Sequence, residues 1–198
     1  MFRIIGTILR SPHKTFSIRH SPYLVAAASS ILISLSVTLF FFNTYIRSIL
    51  PAYAVAGVFI GLIVTSFIGF MLTGCLIKLA CNILGGKGGF REGLKVISFS
   101  SIVPSAGFFI ASAISVAAPA AGMPAVLAGS GVSMIILPVS MVIGFALSYK
   151  GMIDVFRLDA VRSLIAFSSV ASAVMLSFYV IVYLNVSSLI TSFSMLGV

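Results

Sequence analysis

Few side chains in this sequence can do chemistry, and their placement argues against most of it. The acids are three, Glu92, Asp154 and Asp159, and the histidines two, His13 and His20. The histidines could share a helix face, but no third ligand accompanies them, so the pattern does not make a metal site. On one helix, Cys75 and Cys81 would point about 240° apart and lie roughly 9 Å apart along the axis, too far to bridge. They read as small apolar packing residues, with a juxtamembrane acylation site as the functional alternative. No HExxH, GxSxG or Cys/His cluster occurs. The stretch Gly85-Gly86-Lys87-Gly88-Gly89 has the glycine content of a phosphate-binding loop but lacks its Gly-Lys-Ser/Thr ending and the strand before it. No cofactor, metal or catalytic pair is expected, and an intramembrane enzyme has no residue pair behind it.

The elements around these residues are set by hydrocarbon. The chain is 198 residues, 60% hydrophobic and only 8% charged, against about 25% charged in a soluble domain. Its formal charge of +9 does not point to nucleic acid, because the cations sit in short segments between long apolar runs, as in a positive-inside membrane protein. The expectation is an all-α polytopic bundle of five transmembrane helices at about 23–42, 53–77, 96–117, 132–149 and 163–184, each near the ~20 residues that cross a bilayer. Residues 1–22 form a basic arm of short amphipathic helices, interfacial rather than spanning, with Phe16 as an anchor. The first apolar run is too long for a signal-peptide core and is not followed by a cleavage site, so it is expected to stay as a span.

The stretch 85–93 holds five glycines in nine residues. With Lys87, Arg91 and Lys95 it reads as a tight basic loop between spans two and three. Residues 118–131 read as an uncharged outer loop, and 149–159 as a second inner loop. Small residues at four-residue spacing mark candidate helix-packing faces: Ser30 and Ser34; Gly57 and Gly61; Gly107, Ala111 and Ser115; Ser169 and Ala173. Pro104 and Pro138 fall inside spans and are candidate kinks.

Of the twelve lysines and arginines, all but Arg47 fall on one side of this threading. That puts the N-terminus in the cytoplasm and the C-terminus outside, in what reads as the plasma membrane of a bacterium or archaeon. The candidate contact surface on the cytoplasmic side is Gly85, Gly86, Lys87, Phe90, Arg91, Lys150 and Arg157. Asp154 and Asp159 are placed to pair with Arg157, Arg162 or a loop lysine. The expected partners are the bilayer, its anionic headgroups, and another copy of the chain or another membrane protein.

The order of segments resembles a known family. Ile8-Leu9-Arg10-Ser11-Pro12-His13-Lys14-Thr15-Phe16-Ser17-Ile18 before a span is similar to the entry segment of Yip-domain proteins, the Ypt/Rab-interacting family. So are Gly85-Gly86-Lys87-Gly88-Gly89-Phe90 with Leu94-Lys95-Val96 and then Pro104, and Lys150-Gly151-Met152-Ile153-Asp154-Val155-Phe156-Arg157-Leu158 before the last span. The resemblance covers nearly the whole chain. It implies a five-helix membrane domain with a cytoplasmic N-terminus, and, in eukaryotic relatives, non-enzymatic factors in ER–Golgi traffic that engage small GTPases. This sequence lacks their long acidic N-terminal region and its Asp-Leu-Tyr-Gly-Pro motif, which counts against GTPase binding. It looks more like the compact bacterial and archaeal members.

Two functions fit. One is a non-enzymatic organising or adaptor protein that packs through small-residue faces and presents a basic surface. The other is an uncoupled permeation or lipid-handling protein built on helices broken at Pro104 and Pro138. A coupled carrier is disfavoured because no acid lies within a span.

Overall fold

The computed structural model describes Phe16, residues 21–41 and residues 52–195. These residues form five long helices: α1 (Pro22–Phe41), α2 (Ala52–Ile83), α3 (Phe90–Ala117), α4 (Met123–Phe156) and α5 (Ala160–Met195). A single 3-10 turn, Ala118–Ala121, joins α3 to α4. No strand occurs among the described residues, and all five helices are long and apolar enough to cross a membrane. The protein is an all-helical, five-span integral membrane protein. Residues 1–15, 17–20 and 42–51, which hold most of the basic arm and Arg47, lie outside the described residues.

Four helices run past the expected spans: α2 continues to Ile83 and α5 to Met195, and the extensions of α3 and α4 have local causes. α3 starts at Phe90, inside the glycine stretch, because Glu92 reaches back and its Oε2 accepts the N–H of Gly89 at 3.0 Å, satisfying a donor the helix start would leave unpaired. α4 starts at Met123, so the connection expected at 118–131 is much shorter. Pro124 stands in its first turn, where the missing N–H would have no partner anyway. At its other end α4 continues to Phe156 because Met152 and Phe156 are buried there. Only residues 157–159 then link it to α5.

α3 is the hub. It packs closely against α1, α2 and α4, while α5 packs mainly against α2 and α4 and does so lightly. It is also the most buried span, with Ser98, Ser100, Ser105 and Ser112 shielded. α1 answers with Ser29, Ser30, Ser34 and Ser36, all fully buried. Lipid gives helices no hydrophobic reason to associate, so small side chains that admit close backbones do the work. Several of these hydroxyls donate to their own helix, as Ser30 does to Ala26 O at 2.9 Å and Ser105 to Ser101 O at 2.7 Å, which removes the cost of hiding them.

Two glycine contacts set the tightest crossings. Gly74 of α2 and Gly93 of α3 face each other: a Cβ on Gly74 would lie 3.1 Å from Leu94 Cα, and one on Gly93 would strike the Gly74 carbonyl. Between α3 and α4, a Cβ on Gly107 would lie 2.6 Å from Ser140 Cβ, and one on Gly144 would meet the Pro104 ring. Neither Pro104 nor Pro138 interrupts its helix. The helices expected to break there run through, and at Pro104 the ring is seated against α4.

Candidate contact surfaces

One end of the bundle gathers the C-termini of α2 and α4 and the N-termini of α1, α3 and α5. Lys87, Arg91, Lys95, Lys150, Arg157 and Arg162 all belong to this basic end. Its glycine loop is shaped first by how α2 stops. Gly85 takes φ +88°, a left-handed conformation that glycine adopts without a Cβ penalty. The N–H of Gly86 then donates to Cys81 O at 2.9 Å and that of Gly85 to Asn82 O at 3.1 Å, the paired bonds that close a helix C-terminus.

The loop is fastened across the molecule. The Lys87 N–H donates to Phe156 O at 3.2 Å. Gly88 lies flat on the Phe156 ring, where a Cβ would come within 2.6 Å of Cδ1, and Gly86 packs against Leu158. Phe156 and Leu158 are buried in one cluster with Ile77, Cys81, Val96 and Met152. The loop after α2 and the link after α4 are therefore one structure. Arg157 caps α4 in the left-handed region, φ 55°. Asp159 starts α5: its Oδ1 accepts the Arg162 N–H at 2.8 Å, and its Oδ2 pairs with Arg162 Nε at 3.2 Å. Arg162 Nη1 also donates to Leu84 O at 3.3 Å, tying α5 back to the end of α2.

Phe16, a described residue of the basic arm, is fixed against the bundle. Phe16 is buried, 6.4 Å from Phe99 ring to ring, and fills the space left by Gly151. Lys95 Nζ donates to the Phe16 carbonyl.

Of the expected contact residues, Gly85, Gly86, Lys87 and Arg157 come together in this loop assembly. Arg91 is exposed at the start of α3 and Lys150 is half-buried on α4. Phe90 instead packs inward against the cluster of Ala26, Phe70 and Leu94. Among the packing faces, Gly107 and the buried Ala111 lie within the bundle, and Ser115 donates to Ala111 O at 2.9 Å. Ser169 and Ala173 line an open furrow beside α2. Nothing comes within 4 Å of a Cβ built on Gly57 or Gly61. The residues that sequence reasoning missed are Gly74, Gly93, Gly144, Phe156, Leu158 and the full set of Arg162 contacts. Single glycines inside apolar helices were the available signal for Gly74 and Gly144.

No group of three or more metal-ligating side chains occurs among the described residues. The cavities between the helices are lined almost wholly by hydrocarbon, and their hydroxyls, such as Ser100, Ser101 and Ser148, donate to their own backbones. No curated protein and no solved structure matches the chain. The Yip1 domain family model, however, matches residues 6–183. That match takes in the arm anchored by Phe16, the glycine loop and all of the first four helices, so the chain belongs to the Yip1 domain family.

Proposed function

We propose that this protein is a non-enzymatic membrane organiser that packs through α2 with a second copy or another membrane protein and presents its basic end to the cytoplasm. The observation that carries the reading is the open face of α2. Gly57 and Gly61 are exposed with nothing within 4 Å of either Cβ position, Thr65 continues the exposed row, and the half-buried Gly69 likewise has nothing within 4 Å of its Cβ position. Elsewhere the close glycine approaches, at Gly74, Gly93, Gly107 and Gly144, are taken up within the chain. A four-residue row of small side chains spanning roughly 18 Å is the geometry by which membrane helices approach closely. The cations at the other end of α2 support an inward-facing orientation, with attraction to anionic headgroups of about 1 kcal/mol per residue near the surface.

The test is crosslinking in native membranes. Cysteine at position 57 or 61, in a chain with Cys75 and Cys81 replaced by serine, is expected to give a crosslinked species. Leucine at both positions abolishes association while leaving helix content intact. A chain that stays monomeric and without a companion in every such experiment overturns the proposal. The permeation or lipid-handling alternative calls for a polar path at membrane depth, and the cavity beside Pro104 is lined mainly by apolar side chains.

A further inference from the structure

Two cavities meet inside the bundle. One of about 370 Å³ lies beside Val37, Pro104 and Met141, and one of about 390 Å³ beside Thr73, Met152 and Ala171. Ile33, Phe70, Ile97, Phe145 and Ser148 line both, so the two are lobes of one bent space with a waist. Each lobe is within the size range of small-molecule sites. No charged residue lines either. The wall hydroxyls donate to carbonyls of their own helices, Thr73 to Gly69 O at 2.8 Å, Ser105 to Ser101 O at 2.7 Å and Ser148 to Gly144 O at 3.1 Å. A space of that chemistry has little to hold water and nothing to hold a charge. The two edges of α5 close it differently. Toward α4, the rings of Phe145 and Phe167 meet edge-on, 5.9 Å apart. Toward α2, the buried Val170 lines the inner lobe and also an outer furrow of about 380 Å³ between Leu79 and Ala173. Furrow and lobe are back to back across that one side chain.

We propose that the bent space is a binding site for one hydrocarbon chain of a bilayer lipid, which enters from the furrow past Val170 while its headgroup stays at the membrane surface. Three features select this occupant. The lining takes methylene groups and refuses a headgroup of any charge. The waist suits a chain that can turn about its single bonds, whereas a rigid fused-ring lipid cannot follow it. The wall can yield at α5, which packs lightly, but not between α3 and α4, where Gly107 and Gly144 hold the helices in close contact. The chain is what is recognised, and the headgroup is not chosen. Gly57 and Gly61 lie at the other end of α2 and line neither lobe nor furrow, so the site does not rest on self-association.

The protein has no tryptophan, so a single indole reports on a single place. Phe70→Trp puts it at the waist, and Leu72→Trp puts it on the exposed side of the same helix. Each full-length variant in detergent is titrated with phosphatidylcholine or phosphatidylglycerol brominated along the acyl chains, and quenching is followed. At position 70 it is expected to saturate at a single lipid per protein, equally for the two headgroups. At position 72 it should rise with lipid content and not saturate. Ala171→Phe fills the inner lobe, so it removes the saturable signal at position 70 and leaves position 72 unchanged. Native mass spectrometry gives a second readout that needs no tryptophan. There Ala171→Phe lowers retained phosphatidylcholine about tenfold, the loss of roughly two buried methylene groups. Leucine at both 57 and 61 leaves the saturable signal in place, which separates this site from the association proposed above. Quenching at position 70 that is absent, follows position 72 without saturating, or depends on the headgroup overturns the site. So does lipid retention indifferent to Ala171→Phe.

Discussion

Single side chains at the basic end carry more than their number suggests. Phe16 holds the arm through its ring and, by way of Lys95, through its carbonyl. Phe16→Ala is expected to free the arm, read as faster proteolysis within residues 1–20, with the five helices retained by circular dichroism; the aromatic loss itself costs up to about 3–5 kcal/mol. Arg157 is the reverse case, a residue with a Cβ held in left-handed backbone. Arg157→Gly should therefore raise the melting temperature, relieving roughly 1 kcal/mol. An aromatic ring in a basic arm could be read as an anchor directly from its type. Its partner could not, because Lys95 reaches a carbonyl 79 positions away. Asp159 and Arg162 were legible as a pair because they are neighbours on one turn, whereas the bond from Arg162 to Leu84 depends on how two helices end together.

Helices explain which glycines matter. Gly93→Ala drives a methyl group into the Gly74 carbonyl, a backbone atom that cannot turn aside. The expected cost is about 1–3 kcal/mol, seen as a lower thermal midpoint in detergent. Gly61→Ala meets nothing and should hold or slightly raise the midpoint, by up to about 1 kcal/mol from helix propensity, while weakening association. A search for paired glycines within one helix finds Gly57 and Gly61, whose Cβ positions meet nothing within 4 Å among the described residues. It passes over Gly74 and Gly93, which form their pair only when α2 and α3 cross. Small-residue faces are visible in a sequence; whether a neighbour, a lipid or a second molecule fills them depends on the arrangement of the other helices. The same holds at Pro104. The missing backbone donor can be read from the sequence, but the seat on Gly144 that steadies α3 cannot.

The bundle as a whole has a polarity that can be checked directly. In a background without native cysteines, cysteine at position 87 should be labelled only from the cytoplasm and cysteine at position 122 only from outside. Labelling of both from one side would contradict the proposed orientation. The number and order of the helices were legible because hydrocarbon thickness sets a minimum apolar length. Their ends were not, because a helix leaving the membrane can continue in water wherever a cap or a buried contact supports it, as Glu92 does for α3 and Phe156 for α4. The central place of α3 also bears on how the protein is made. Its serine-bearing surface is the one least suited to meet acyl chains unaided, and α1 and α2, which cover much of it, emerge from the ribosome first. A chain begun at α3 would reach the insertion machinery with that surface bare, and poor integration of such a truncation would show that the early helices act as its escorts.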